Sequence, residues 1–174
     1  MKKLFISVLC LLGLTISSAV FSAGSGMDNH RLSELITRID PNPKGQKGYW
    51  EIEYKNIPIY IITSEQANRM RIISPIRSSE DLGKNKLYRM MQANFDSALD
   101  ARYSIAKGKL WSAFIHPLTE LSDEQFFSGL AQTITLVNSY GKSYSSGALV
   151  FRGGDSQDLN NKTFLDILKK GLKI

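Results

Sequence analysis

Histidine and serine side chains are the residues of this chain that would do hydrolytic chemistry. The sequence contains two histidines, His30 and His116, and a Ser-His-Asp triad needs one of them as its general base. Ser112 and Ser104 are candidate neighbours of His116. A G-x-S-x-G elbow is missing, because Gly141–Gly147 has the wrong spacing. The sequence therefore favours no catalytic set, and we expect His116 to cap or pack a loop.

Metal ions and phosphate groups have equally little support in the residue pattern. Two distant histidines and a single cysteine, Cys10, do not build a usual zinc site. The turn-like stretch Gly153–Asp158 lacks the repeated carboxylates of a calcium loop, and glycine-rich phosphate loops are absent from the sequence. The sequence thus predicts no metal site and no cofactor.

The N-terminal segment has the three parts of an export signal. Lys2 and Lys3 supply a positive start, and Leu4–Ile16 is an apolar run too short to span a bilayer as a permanent helix. Small residues then end at Ala19 and at Ala23, as a signal peptidase requires. We therefore expect cleavage between these two alanines and a location in the periplasm or outside the cell.

The signal is expected to comprise residues 1–23, which leaves residues 24–174 as a single domain. Cys10 lies within the signal, so the mature chain cannot form a disulfide, and its length suits one hydrophobic core. Loss of Lys2 and Lys3 leaves 20 basic against 16 acidic residues, a net charge of +4. This excess is well below that of a typical nucleic-acid-binding protein. We expect neither a nucleic-acid partner nor a transmembrane segment in the mature chain.

The hydrophobic pattern of the mature chain predicts an α+β fold. A first helix follows Asp28, which is suited to be its N-cap, and Lys44–Gly48 is predicted to be a polar linker. The predicted strands are Tyr49–Tyr54, Ile57–Thr63, Arg69–Ile73, Ala98–Ile105 and Leu110–Ile115. We expect an antiparallel sheet of about five strands packed against helices, with Trp50 and Phe127 substantially buried.

Two later helices are predicted around a well-defined start and a C-terminal apolar pattern. Ser122 and Gln125 fit a capping box at the start of the third helix, and Gly141 is suited to follow its end. Beyond it, Gly147–Phe151 is predicted to be a strand, and Phe164–Leu172 indicates a terminal helix.

The second helix and the strand before it carry the strongest local charge. This helix is predicted to begin at Ser78 or Ser79, with two acidic residues in the positive field of its first turn. Residues 69–89 contain six basic and two acidic side chains, which predicts a basic face that attracts an acidic partner; the alternative is a solvated polar face. A methionine pair nearby is a candidate to hold a peptide or a dimer mate, or else belongs to the core. The candidate partner-binding residues are Arg69, Arg71, Arg77, Lys84, Lys86, Arg89, Met90 and Met91.

Five segments in the middle of the chain form a recognisable series. They are Asn94-Phe95, Ala101–Ile105, Lys107–Trp111, His116–Leu118 and Leu121–Gln125. With the order helix, three strands, helix, two strands, helix, they resemble the class I type III secretion chaperones and the related YbjN family, described as bacterial sensory transduction regulators. The resemblance implies a chaperone-like fold and a dimer whose surface binds other polypeptides, without catalytic residues.

Two functions of different classes remain open from the sequence. The first is an exported, non-enzymatic protein-interaction module, chaperone-like or regulatory. The alternative is a small exported hydrolase or ligand binder that uses the region around His116 and Trp111. An enzyme needs a concave site with converging polar groups, whereas an elongated apolar groove or a flat patch would favour the interaction module.

Overall fold

The fold was analysed in a computed structural model that describes residues 26–96, 98–141 and 155–172. The predicted signal peptide and the predicted strand Gly147–Phe151 lie outside the described residues. Within them the elements are α1 (Asn29–Ile39), β1 (Lys44–Gln46), β2 (Tyr49–Tyr54), β3 (Ile57–Ser64), β4 (Arg69–Ser78), α2 (Lys84–Asp96), β5 (Arg102–Ala106), β6 (Lys109–His116), α3 (Asp123–Ser139) and α4 (Asp155–Leu172).

The strands form one six-stranded antiparallel sheet in the order β1-β2-β3-β4-β6-β5. Two-residue turns connect β2 to β3 and β5 to β6, and their residues Lys55, Asn56, Lys107 and Gly108 all have positive φ. This backbone conformation matches the right-handed twist of the flanking strands. The predicted α+β class with an antiparallel sheet is confirmed.

An edge strand, β1, occupies part of the segment predicted to be a polar linker. Its residues are all exposed, and it pairs with β2 through Lys44↔Glu51 and Gln46↔Tyr49. Gly45 and Gly48 have φ values of 105° and 92°, which residues other than glycine rarely adopt. Backbone pairing rather than apolar side chains forms this strand, so no hydrophobic pattern marks it.

The second helix begins at Lys84 and not at Ser78 or Ser79, so the predicted start was wrong. Strand β4 continues well beyond its predicted end, because its backbone still pairs with β6 as far as Ser78↔Lys109. A register shift between Pro75 and Arg77 accommodates the proline in this strand. The acidic residues assigned to the first helical turn therefore precede the helix.

The hydrophobic core lies between one face of the sheet and helices α1, α3 and α4. Trp50 is 3% exposed and Phe127 is 1% exposed, as predicted. A second, smaller cluster lies under α2 and includes Leu82, Met90 and Tyr103. No helix in the described ranges is both long and apolar enough to cross a bilayer.

The predicted starts of α1 and α3 are confirmed in the structure. Asp28 accepts a hydrogen bond from the Arg31 amide at the start of α1. At α3 the Ser122 hydroxyl accepts from the Gln125 amide at 3.1 Å, and the Gln125 side chain accepts from the Ser122 amide at 2.8 Å. This reciprocal pair satisfies two backbone donors that would otherwise lack partners within the helix.

Replacing Ser122 by alanine is expected to destabilise the domain by about 0.5–2 kcal/mol, since α3 would lose its cap. Urea titration of the two proteins would measure the difference. Gln125→Ala removes the other half of the capping box and is a matched comparison. Unchanged stability of Ser122→Ala would mean that the cap does not stabilise α3.

Candidate functional site

Exposed apolar side chains concentrate on α2 and on the chain that follows it. Five of the eight large hydrophobic side chains exposed in the described ranges lie between Tyr88 and Ile105. On the helix, Tyr88, Met91 and Phe95 are 68%, 53% and 71% exposed, and their spacing places them on one side of it. We call these three, together with Leu99 and Ile105, the α2 face.

The opposite side of α2 is also apolar, and it holds the helix on the protein. Met90 and Ala93 are buried, and Leu87 packs against the same cluster. The Asn94 side chain adds two hydrogen bonds to strand β5, accepting from the Tyr103 amide at 2.7 Å and donating to the Tyr103 carbonyl at 3.1 Å. A surface helix usually has one apolar side, whereas α2 has a second one, the α2 face.

The two candidate methionines have different environments. Met90 is completely buried in the cluster under α2, whereas Met91 is half exposed on the α2 face. Met90 is therefore a core residue, and its assignment to a partner-binding surface is corrected. Met91 keeps the position that such a role requires.

The candidate basic residues do not form one continuous face. Arg69 and Arg71 are exposed on β4, on the side of the sheet opposite the core. Lys84, Lys86 and Arg89 are exposed on α2, which the chain reaches only after the far end of β4. An extended strand rises ~3.3 Å per residue, so the strand arginines lie roughly 20–30 Å from that end.

Arg77 differs from the other candidate basic residues because its guanidinium interacts with neighbouring side chains. Its guanidinium donates to the Asp81 carboxylate at 3.1 Å. Hydrogen bonding to Tyr140, and then to Asp81, raises the pKa of Arg77. Its charge is therefore matched within the molecule, and the basic side chains of α2, which form no ion pair among the described residues, are the ones that lie beside the α2 face.

The alternative site around His116 and Trp111 does not converge. Along β6 the two side chains alternate to opposite faces of the sheet. The His116 ring stacks on Phe114 at 6.0 Å, and its Nδ1 lies 2.7 Å from the Pro117 carbonyl oxygen. Trp111 instead donates from its ring nitrogen to the Ala106 carbonyl at 2.9 Å. His116 thus packs against its own loop, as we expected from the sequence.

Two neighbouring serines do not change this arrangement. Ser112 is completely buried, and Ser104 lies opposite Trp111 in the β5–β6 ladder. Within the ranges described, no group of three histidine, cysteine or acidic side chains is placed to hold a metal ion. The polar groups of β6 therefore serve packing, and the α2 face is the strongest candidate for function.

Comparisons with known proteins bear on the fold. No family model matches the chain, and no curated protein matches it. A chain of the ExsC–ExsE complex is similar in structure, with a TM-score of 0.53, 14% identity, and coverage of 70% of this chain and 100% of that chain. The chaperone–effector complex HopA1–SchA gives a TM-score of 0.47, with 12% identity over 64% of this chain and 98% of that one.

A third similar structure is the Yersinia pestis type III secretion chaperone SycH with a stable fragment of YscM2. Its TM-score is 0.48 with 13% identity, over 62% of this chain and 96% of that one. Similarity at this level of identity shows a shared fold and not a shared function. The chain therefore has the chaperone-like α+β fold that the sequence predicted.

Proposed function

We propose that this chain is an exported, non-enzymatic protein-interaction module, a chaperone-like or regulatory accessory protein whose α2 face binds another polypeptide. The observation that carries the proposal is the exposed apolar stripe of Tyr88, Met91 and Phe95 on a helix already anchored by its other side. Concentrated apolar surface on a soluble protein marks an interaction site. The fold shared with a chain solved in a two-protein complex supports the same class of function.

The occupant of the α2 face that fits these observations is a second copy of the chain. Met91 lies between Tyr88 and Phe95 along α2, so a two-fold axis near Met91 would set Tyr88 of one copy against Phe95 of the other. The basic residues all lie in the first half of the helix. Antiparallel pairing therefore keeps the basic halves apart and limits their repulsion.

The edge strand β5 adds apolar surface next to the α2 face. It is the last strand of the sheet on the side of α2. The backbone amide and carbonyl of Tyr103 in this strand are already hydrogen-bonded to the Asn94 side chain, so we do not base association on pairing of this strand edge. Ile105 of β5 is exposed, and it extends the apolar surface of the α2 face beyond the helix.

The remaining parts of the proposal depend on the sequence. The N-terminal pattern of residues 1–23 supports export to the periplasm or beyond it. The anchor segments between Asn94 and Gln125 support a relationship to the YbjN family. The divergence of His116 and Trp111 supports a non-enzymatic role over the hydrolase or ligand-binding alternative, because catalysis needs converging groups.

A charge placed at the centre of the α2 face tests the dimer. We expect the mature protein to be dimeric by analytical ultracentrifugation and Met91→Glu to be monomeric. An uncompensated charge buried in an apolar interface costs about 3–5 kcal/mol, which raises the dimer dissociation constant by a factor of about 100 or more. Gln92→Glu is the matched control, because it adds the same charge at the next, exposed position and should leave the dimer intact.

Each other outcome contradicts part of the proposal. A wild-type protein that stays monomeric at high concentration would exclude the second copy as occupant. Equal dissociation of the two variants would exclude a specific role for Met91, since general repulsion would then explain both results. A stable dimer of Met91→Glu would place the interface elsewhere on the molecule.

A further inference from the structure

A cleft of about 660 Å³ opens between the β2–β3 turn, α3 and α4. It is remote from the α2 face, because β2 and β3 lie near one side of the sheet and β5 forms the opposite edge. Its size is in the range of small-molecule sites, about 300–1,000 Å³. The cleft is therefore a feature of its own, independent of the proposed dimer.

The lining of the cleft is mixed, and four aliphatic side chains form its apolar part. Ile134 of α3 and Ile57 of β3 contribute on one side, and Leu159 and Leu165 of α4 on the other. Leu165 is 54% exposed, whereas Phe164, Ile167 and Leu168 of the same helix belong to the core or pack against it. A ligand with an aliphatic part would bury this surface, and the binding free energy would become more favourable by about 25 cal/mol for each Å² of apolar surface removed from water.

Among the described residues that line the cleft, the one acidic group is already neutralised. The Asp166 carboxylate accepts hydrogen bonds from Lys55 Nζ and from the Tyr54 hydroxyl, both at 2.5 Å. The ion pair with Lys55, and then the bond from Tyr54, lowers the pKa of Asp166. These contacts stabilise the docked α4 above the unfolded pKa of the carboxyl, and their contribution is lost as the pH falls through its lowered folded pKa.

Two further lysines lining the cleft have no acidic partner in the part of the chain that the structure describes. Lys162 and Lys169 lie four residues before and three residues after Asp166, on the same side of α4. Neither forms an ion pair with any side chain in the described ranges. With Lys55 matched by Asp166, the cleft carries an excess of two positive charges above apolar walls.

We propose that this cleft binds a small amphipathic anion, an unbranched aliphatic chain that ends in a carboxylate. The chain would lie against Ile57, Ile134 and Leu165, and the carboxylate would pair with the ammonium groups of Lys162 and Lys169. A long, flexible lysine side chain can bring its charge to such a head group without disturbing the apolar walls. A small ion without an aliphatic chain would leave the apolar side chains of the cleft exposed to water. A neutral ligand would leave the charges of Lys162 and Lys169 without a counter-charge.

Octanoate is the probe that tests this site, by isothermal titration calorimetry of the mature protein at low salt. Acetate supplies the head group without the chain, and 1-octanol supplies the chain without the charge. We expect octanoate to bind at least about ten times more tightly than either control. Equal affinity for octanoate and octanol, or absence of octanoate binding at millimolar concentration, would overturn the proposal.

Matched lysine variants locate the site. The double variant Lys162→Gln/Lys169→Gln is expected to weaken octanoate binding about tenfold, since each exposed ion pair contributes a factor of about three. The control Lys47→Gln/Lys107→Gln removes the same charge from exposed residues outside the cleft and should bind as the wild type does. Equal weakening in both double variants would indicate nonspecific attraction and contradict the site.

Two further measurements check that the lysine variants are folded and whether the bound anion is a free amphiphile or a lipid head group. Both double variants change exposed side chains, so their urea unfolding midpoints should match that of the wild type, and a change in affinity is then a change in binding. Cosedimentation with anionic phospholipid vesicles provides the last comparison. Binding to vesicles without binding to octanoate would assign the lysines to a membrane surface and overturn the proposal of a free amphiphile.

Discussion

Replacement of Phe127 by alanine is expected to destabilise the domain by about 3–5 kcal/mol. Phe127 is 1% exposed and packs against Phe126 with ring centroids 5.5 Å apart. On its other side the ring lies so close to Gly171 of α4 that an added Cβ there would be 2.6 Å from it. Truncation therefore opens a cavity where α3, α4 and the sheet meet, and α4 loses part of its support.

Urea unfolding monitored by tryptophan fluorescence would measure this loss, because Trp50 belongs to the same core cluster. Leu165→Ala is the control, since it also shortens an apolar side chain but at a half-exposed position of α4. We expect its effect to be below about 1 kcal/mol. Equal effects of the two substitutions would show that α4 does not depend on packing against Phe127.

Replacement of Gln132 by alanine is the second change with a large expected effect. Gln132 is a polar residue on the buried side of α3, 7% exposed. Its side-chain oxygen accepts from the backbone amides of Asp100 and Ala101 at 2.7 Å and 3.1 Å, and its nitrogen donates to Asp100 and Ser128. The residue thereby joins α3 to the segment between α2 and β5.

The substitution leaves two backbone donors of that segment without an acceptor. An unsatisfied buried donor costs about 1–3 kcal/mol, and this cost applies to the amide of Ala101, which is 2% exposed. Asp100 is exposed, so water can replace the acceptor that its amide loses. Gln92→Ala, on the exposed side of α2, removes the same side chain where water replaces its contacts and should cost less than about 0.5 kcal/mol. Hydrogen exchange should show faster exchange at Asp100 and Ala101 in Gln132→Ala alone, and unchanged protection there would contradict the role of Gln132.

These stability measurements and the proposed dimer are linked by mass action. If α2 pairs with a second copy, the apparent stability of the wild type increases with protein concentration. The stabilities of the wild type and the variants should therefore be measured at one fixed protein concentration, or with every substitution made in the monomeric Met91→Glu variant. In that background the effects of Phe127→Ala and Gln132→Ala should persist, because both residues act within the monomer.

The local sequence determined much of the sheet and the two N-terminal helix caps. Alternation in Tyr49–Tyr54 specifies which side of β2 faces the core, since successive side chains of a strand point to opposite faces. The Ser122 capping box acts within four residues, so its partners are present in the sequence itself. The class of the fold followed from these local signals.

Elements that are formed by backbone pairing rather than by apolar side chains could not be predicted in the same way. Strand β1 has no apolar residues and pairs through its backbone with β2, the next strand in the chain. The end of β4 is set by pairing with β6, more than thirty residues later in the chain. Both boundaries are set by backbone hydrogen bonds, which any residue except proline can form and which therefore leave no periodic mark in the sequence.

The candidate site shows the same division between local and tertiary causes. Sequence alone determined that α2 is rich in methionine, aromatic and basic residues. Only the tertiary structure decided that Met90 is buried and Met91 exposed, because the Asn94–Tyr103 hydrogen bonds and the cluster under α2 fix the rotation of the helix. A helix with apolar residues on two sides has two nearly equivalent ways to bury one of them, and contacts with β5 select between them.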